Sequence, residues 1–232
     1  MKRLLLASVV ALAGCASRPP VYLPPEAGLV AVESDGWSSI FRVYSAFGFS
    51  GSCWHAGQGL FVTAAHVPAG ESAIFVSGLP AELLAFDAVN DLAVLRVRGF
   101  TGPRLELGTP AIGVRARARG YSPSAGLPMQ TTGTISALDM GGGFVGYDGG
   151  IQPGMSGAPV LDDAGRVIGV VSAAHSWNER SPFSPPNSIM GRLCDPKKIG
   201  TMLAGLSPDS PAMSLPFPPP PPPAAVPEEP VQ

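Results

Sequence analysis

The sequence predicts an all-β protein: two six-stranded antiparallel β-barrels with a short C-terminal helix. Three observations carry this. Glycine (29) and proline (27) are abundant among the 232 residues while charged residues make up only 14%, the balance of a chain with many turns between short strands. The apolar runs of the middle of the chain are short and show no sustained helical period. These runs fall into two sets of about six, divided by a looser stretch, FTGPRLELGTPAIG, at residues 100–113.

In chain order, the first set reads LVAVES, SIFRVYS, GLFVTAAHV, SAIFVSG, ELLAFDAV and DLAVLRV, a first barrel over about residues 29–100. The second reads VRARARGYS, MQTTGTISALD, GFVGYDG, APVLDD, RVIGVVSAA and NSIMGRL, a second barrel over about residues 113–194. Asp163-Ala164-Gly165 supplies a hairpin turn between the fourth and fifth of these. Asp195-Pro196 offers an N-cap and a first-turn proline for a helix over residues 196–203. Arg115, Arg117 and Arg119 alternate with small residues and share one strand face, which reads as a solvated edge that discourages sheet-to-sheet pairing.

The two ends differ from this middle. MKRLLLASVVALAGCAS has a basic start, an apolar run too short to span a bilayer, and small residues before Cys15, the pattern of a signal peptide over residues 1–14. Leu12-Ala13-Gly14-Cys15 resembles the bacterial lipobox, which implies acylation of Cys15 and a membrane anchor without a spanning helix. Ala16 is not the Asp that resembles an inner-membrane retention signal, so the expected location is the bacterial envelope, at the outer membrane. Residues 15–28 form a proline-rich tether. Residues 208–232, with six consecutive prolines from Pro218 to Pro223, form a tail that cannot build a core and whose contacts are with solvent, a protein or the cell wall. In an oxidising envelope the remaining Cys53 and Cys194 have the option of pairing, and the sequence leaves it open.

Composition also excludes partners. A net charge of −2, from 15 Lys+Arg against 17 Asp+Glu, gives no broad basic field for nucleic acid. The three histidines have no HExxH or CxxC ligand spacing, and Gly141–Gly143 lacks the lysine and helix of a phosphate loop, so neither a metal nor another cofactor is implied.

The stretch with chemistry in it is PGMSGAP, residues 153–159. Acyl transfer by serine needs an activated hydroxyl, a base, an acid to orient the base, and two N–H donors for the oxyanion. Ser156 is the candidate nucleophile. Gly154 lets the backbone bend so that its N–H and that of Ser156 share one hole. Two histidines, His66 in VTAAHV and His175 in VSAAHS, compete for the base, and Asp87 and Asp91 for the acid. Asp91 is preferred because it opens a strand, whereas Asp87 precedes one.

Together, GLFVTAAHV, DLAVLRV and PGMSGAPVLDDAGRVIGVVSA resemble the three signature blocks of trypsin-like serine peptidases, over roughly residues 50–203, closest to the HtrA-like branch without PDZ modules. The resemblance implies His66 as general base, Asp91 as orienting carboxylate, Ser156 as nucleophile, the amides of Gly154 and Ser156 as oxyanion hole, and His175 as a cleft-rim residue. It implies an endopeptidase acting on extended or unfolded polypeptide, bound as an added strand. Met155 stands where trypsin has an Asp that pairs with a freed N-terminus, so packing must hold the loop instead of zymogen cleavage. Gly150 stands where enzymes that cut after Lys or Arg have an Asp, implying an uncharged, small or medium apolar residue before the scissile bond, in a pocket walled by Ser172, Ala173 and Ala174. Two readings compete: a pseudopeptidase that binds a partner, and a structural envelope lipoprotein.

Overall fold

A computed structural model describes residues 37–122, 127–176 and 189–213. The expected signal segment and tether, Cys15, LVAVES and the proline run lie outside the described residues. Among the described residues are twelve strands and one helix. The first six strands close into one antiparallel barrel and the last six into a second.

The first barrel follows a short 3₁₀ turn at Trp37–Ser39 and contains β1 (Ile40–Ser45), β2 (Gly48–Gly57), β3 (Leu60–Thr63), β4 (Ile74–Val76), β5 (Leu79–Asp87) and β6 (Leu92–Arg96). The second contains β7 (Arg115–Tyr121), β8 (Pro128–Ala137), β9 (Phe144–Tyr147), β10 (Pro159–Leu161), β11 (Val167–Ser176) and β12 (Ile189–Cys194). Each barrel has its own core, Val43, Phe61 and Leu95 among the first and Ile135, Tyr147 and Ile168 among the second. A third cluster joins them: Trp54 and Leu92 from the first barrel meet Phe144 and Cys194 from the second and Ile199 from the helix.

The strand missing from the sequence reading is β2. GFSGSCWHAG has three glycines and three polar residues, yet Gly51 to His55 are all buried. Gly51 and Ser52 face the backbone of the Ser156 loop: a Cβ on Gly51 would come within 2.9 Å of the Ser156 carbonyl oxygen and 2.8 Å of the Val67 side chain, and Ser52 bonds the Gly154 and Ser156 carbonyls. β7 shows the opposite case, a clean alternation with Ala116, Ala118 and Gly120 inside and the arginines outward. It is not an edge, since β8 and β10 pair with it on both sides, so edge protection does not explain its arginines. Arg117 instead pairs with Asp163 and donates to the Asp162 carbonyl, and Arg119 donates to Gln130.

The helix α1 (Pro196–Ala204) starts as its cap predicts, with the Asp195 carboxylate accepting from the Lys197 amide at 2.9 Å. The chain after it is not free from residue 208. The almost fully buried Arg96 guanidinium donates to the carbonyls of Pro208 and Ser210, and the Met213 amide donates to the Leu83 carbonyl at 2.7 Å. A buried cation gathers whatever acceptors reach it, and here they are Glu82 and this segment, which is strapped to the first barrel. The folded part therefore extends at least to Met213.

Candidate active site

β3 ends at Thr63 and a turn carries His66 out of the first barrel, while the β5–β6 turn carries Asp91 to meet it. The Asp91 carboxylate accepts from His66 twice: from the backbone amide at 3.0 Å and from ring Nδ1 at 2.9 Å. An ionised carboxylate can only accept, so Nδ1 carries a proton, and in the neutral ring Nε2 is the nitrogen left to accept. Asp91 has φ of +52°, a left-handed backbone that costs a non-glycine residue on the order of 1 kcal/mol or more and that Asp tolerates better than most. The turn pays for it with neighbours. Asp87 accepts from the Val89 and Asn90 amides and from the Asn90 side chain, which makes it a turn brace and ends its candidacy as the acid. The Lys198 ammonium, from α1, binds the Asn90 side chain and the Gly142 carbonyl.

The second barrel closes the back of Asp91. Ser172 is buried, not a pocket wall, and its hydroxyl donates to the second carboxylate oxygen at 2.5 Å. The Cys194 thiol donates to the Asp91 carbonyl at 3.3 Å. Burial pushes the Asp91 carboxyl upward, and the hydrogen bonds from His66 and Ser172 outweigh it, leaving the group below the usual carboxylate range. Burial, with Asp91 beside it, pushes the Cys194 thiol well up, so it stays protonated and can donate. Cys53 and Cys194 are both buried free thiols, so the pairing left open by the sequence is not made.

Ser156 lies in the loop before β10. Gly154 (φ +87°) and Gly157 (φ +84°) both need the left-handed region. The loop is docked on β2: the Ser52 amide donates to the Ser156 carbonyl at 2.8 Å and the Ser52 hydroxyl to the Gly154 carbonyl at 2.9 Å. A Cβ on Gly157 would stand 2.1 Å from the Ser52 oxygen and 2.2 Å from the Thr63 hydroxyl, three residues before His66. Met155 is fully buried in the second core and turns the loop around itself. Among the described residues the amides of Gly154 and Ser156 give no proton to a protein acceptor. No hydrogen bond joins His66 to Ser156, a contact that in other enzymes commonly tightens only when substrate binds.

The remaining predicted site residues are less concentrated. Gly150 is exposed, with open space where its Cβ would be, and Ala173 is half-buried. Ile151 packs against Gly191 and Tyr147 beside them. Ala174 and His175 pair with Gly191 and Met190 along β11 and β12, and their side chains lie outside the described residues. Two surface hollows, of about 550 and 510 Å³, are lined by none of His66, Asp91 and Ser156. Among the described residues no group of His, Cys, Asp and Glu is placed to hold a metal. Sequence reasoning missed Ser52, Cys194 and the true place of Ser172. Only the last had a signal, as a polar residue inside the otherwise apolar VIGVVSAA.

Comparison with known proteins fits this geometry. Residues 49–170 match the trypsin-like peptidase domain. Protease Do-like 1, chloroplastic, of Arabidopsis thaliana is 31% identical over 192 residues, 72% of this chain and 43% of that protein. A DegP-like periplasmic serine endoprotease of Halomonas elongata is 37% identical over 129 residues, 50% of this chain and 27% of that one. The structure of the HtrA-type protease AlgW with a tripeptide superposes with a TM-score of 0.60 at 27% identity, covering 72% of this chain and 60% of that one. The chain spans less than half the length of these curated relatives. A match over more than half of the sequence, on two closed six-stranded barrels, places this chain in the trypsin-like serine peptidase family, with relatives of the HtrA type.

Proposed function

We propose that the protein is a serine endopeptidase in which Ser156 attacks the peptide carbonyl, His66 takes its proton and returns it to the leaving amine, and Asp91 holds the imidazole in the Nδ1–H tautomer. The observation that carries this is the doubly bonded His66–Asp91 pair, on a strained Asp backbone, beside a loop whose Gly154 and Ser156 amides are unspent. Those amides form the oxyanion hole, the term that usually contributes most to acyl transfer.

Substrate is an extended or unfolded polypeptide added as a strand. The support is the protease relatives, one of them a structure holding a peptide. Gly150, with nothing within 4 Å of where its Cβ would be, and Ile151 lying across Gly191 favour an uncharged, small apolar residue before the scissile bond. The peptidase domain covers residues 29–213, behind a signal segment of residues 1–14 and a tether acylated at Cys15. A DegP-like periplasmic relative supports the envelope as the place of action.

A fluorophosphonate probe followed by intact mass tests the reading. Labelling is expected in the parent protein and lost in both Ser156→Ala and His66→Ala. A folded parent that takes no label would turn the assignment to a binding scaffold.

A further inference from the structure

Arg192 has no place in the mechanism above, and its position is unusual for a charged side chain. On β12 it lies two residues from Cys194 and opposite Gly146 of β9, so Arg192, Cys194 and Phe144 share the face of the second barrel on which the Asp91 turn rests. The guanidinium carbon stacks 4.0 Å from the Phe144 ring centroid. Its Nε is buried and bonded to nothing, and one terminal nitrogen lies 3.4 Å from the Ser172 hydroxyl oxygen. That hydroxyl donates to the Asp91 carboxylate.

A partly buried cation is costly unless a negative charge offsets it. Among the described residues Arg192 forms no ion pair within 4 Å. The anion it faces is Asp91, with the Ser172 hydroxyl between: an oxygen that accepts toward the guanidinium while donating to the carboxylate. Such a hydroxyl passes polarisation from one charge to the other.

We propose that Arg192 is a positioning residue for the catalytic acid, a cation held behind Asp91 that fixes the Ser172 hydroxyl toward the carboxylate and weakens the carboxylate's pull on the His66 proton. The proposal rests on the peptidase reading of His66 and Asp91. A carboxylate backed by a cation stays ionised further into acid, and it stabilises a charged imidazole less. The other groups facing this pair are few: Lys198, reaching the turn through Asn90; Asp87, committed to the turn amides; and the protonated Cys194 on the Asp91 carbonyl.

The test follows the His66 ring proton by NMR titration in the full chain, assigned with His66→Gln, and needs no turnover, so it stands apart from probe labelling of Ser156. Arg192→Met keeps the stem and removes the charge. The His66 midpoint is expected to rise by about half a unit to one unit, as loss of a nearby cation requires, and Arg192→Lys is expected to hold it near the parent value. Should the Met variant not fold, Arg192→Gln carries the same expectation. An unmoved midpoint in a folded charge-removing variant overturns the proposal, as does an equal rise in the lysine variant. A change confined to KM, with the midpoint unmoved, would make Arg192 a substrate contact and also overturn it.

Discussion

Asp91 sits on a turn tied by side chains, and Ser156 on a loop tied almost wholly by backbone and packing. The first is held by Asp87, Asn90, Lys198, Ser172 and Cys194, five side chains from both barrels and the helix. The second is held by amide-to-carbonyl bonds to Ser52 and Val171, by two glycines in the left-handed region, and by a buried methionine; the Ser52 hydroxyl is the one polar side chain among these ties. Side-chain ties can be changed one at a time and several of them titrate. Backbone ties do not titrate, and they leave no room for an added atom. The acid half of the site should therefore be sensitive to chemistry and pH, and the nucleophile half to volume.

The largest expected effect breaks the chemistry and spares the fold. Asp91→Asn keeps the shape of the turn but offers His66 an amide, which no longer selects the Nδ1–H tautomer. A loss on the order of 10⁴ in kcat is expected from that change alone, with stability altered by only about 1 kcal/mol. Steady-state kinetics beside urea unfolding measure both. A small kinetic loss would mean that Asp91 does not orient the base.

Gly157→Ala should do the reverse. A Cβ would meet the Ser52 carbonyl and the Thr63 hydroxyl, both well inside contact distance, on a backbone with φ of +84°. Relief requires the loop to leave β2. A destabilisation of roughly 3–5 kcal/mol is expected from the combined overpacking and strain, readable as a lower urea midpoint. An alanine accepted at little cost would show that the loop is not pinned by its backbone and would remove the contrast with the acid turn.

What the sequence made legible divides along the same line. Eleven of the twelve strands overlap runs read from apolar patterning, with β5, β8, β11 and β12 extending past them by one to three residues, because each of those runs has β-branched or alternating residues. β2 escaped because glycines and polar residues interrupt its apolar pattern, Gly51 and Ser52 being buried where they let the Ser156 loop approach the strand backbone. His66, Asp91 and Ser156 were visible as motif residues. Ser172, Cys194 and Arg192 were not assigned to the Asp91 turn, since that contact depends on how the second barrel docks on the first, some eighty to a hundred residues away in the chain. The strap at residues 208–213 was hidden in the same way. Its prolines read as tail, and only the fold supplies the buried Arg96 that holds it.

The smallest expected effect sharpens the contrast by pH. His55 lies buried against Phe61 and Phe100, its Nδ1–H donating to the Pro103 carbonyl at 2.8 Å and its Nε2 accepting from the Gly59 amide at 3.3 Å. Protonating Nε2 would turn two donors toward each other. Burial holds this histidine below its ordinary value, the Pro103 carbonyl opposing and Arg104 adding to the effect. The folded state therefore binds this proton less readily than the unfolded chain. Its contribution is complete above the ordinary histidine range, about 6.5, and is lost as pH falls from there toward the lower folded value. Asp87 and Asp91 are also held below their ordinary range, burial opposing and hydrogen bonds prevailing, so their contributions remain above about pH 4 and are lost as pH falls through the lower folded values. Descending from neutrality, protection of the Gly59 amide, and of the Leu105 amide that donates to the His55 carbonyl, should decline first. The Ser52 and Gly157 amides, tied to Ser156 and Val171, should hold through that step. Hydrogen-exchange protection factors at pH 7 and pH 5 measure this. A His55→Gln variant should lack the first decline, and an equal loss at all four amides would show that the His55 site and the Ser156 loop open together.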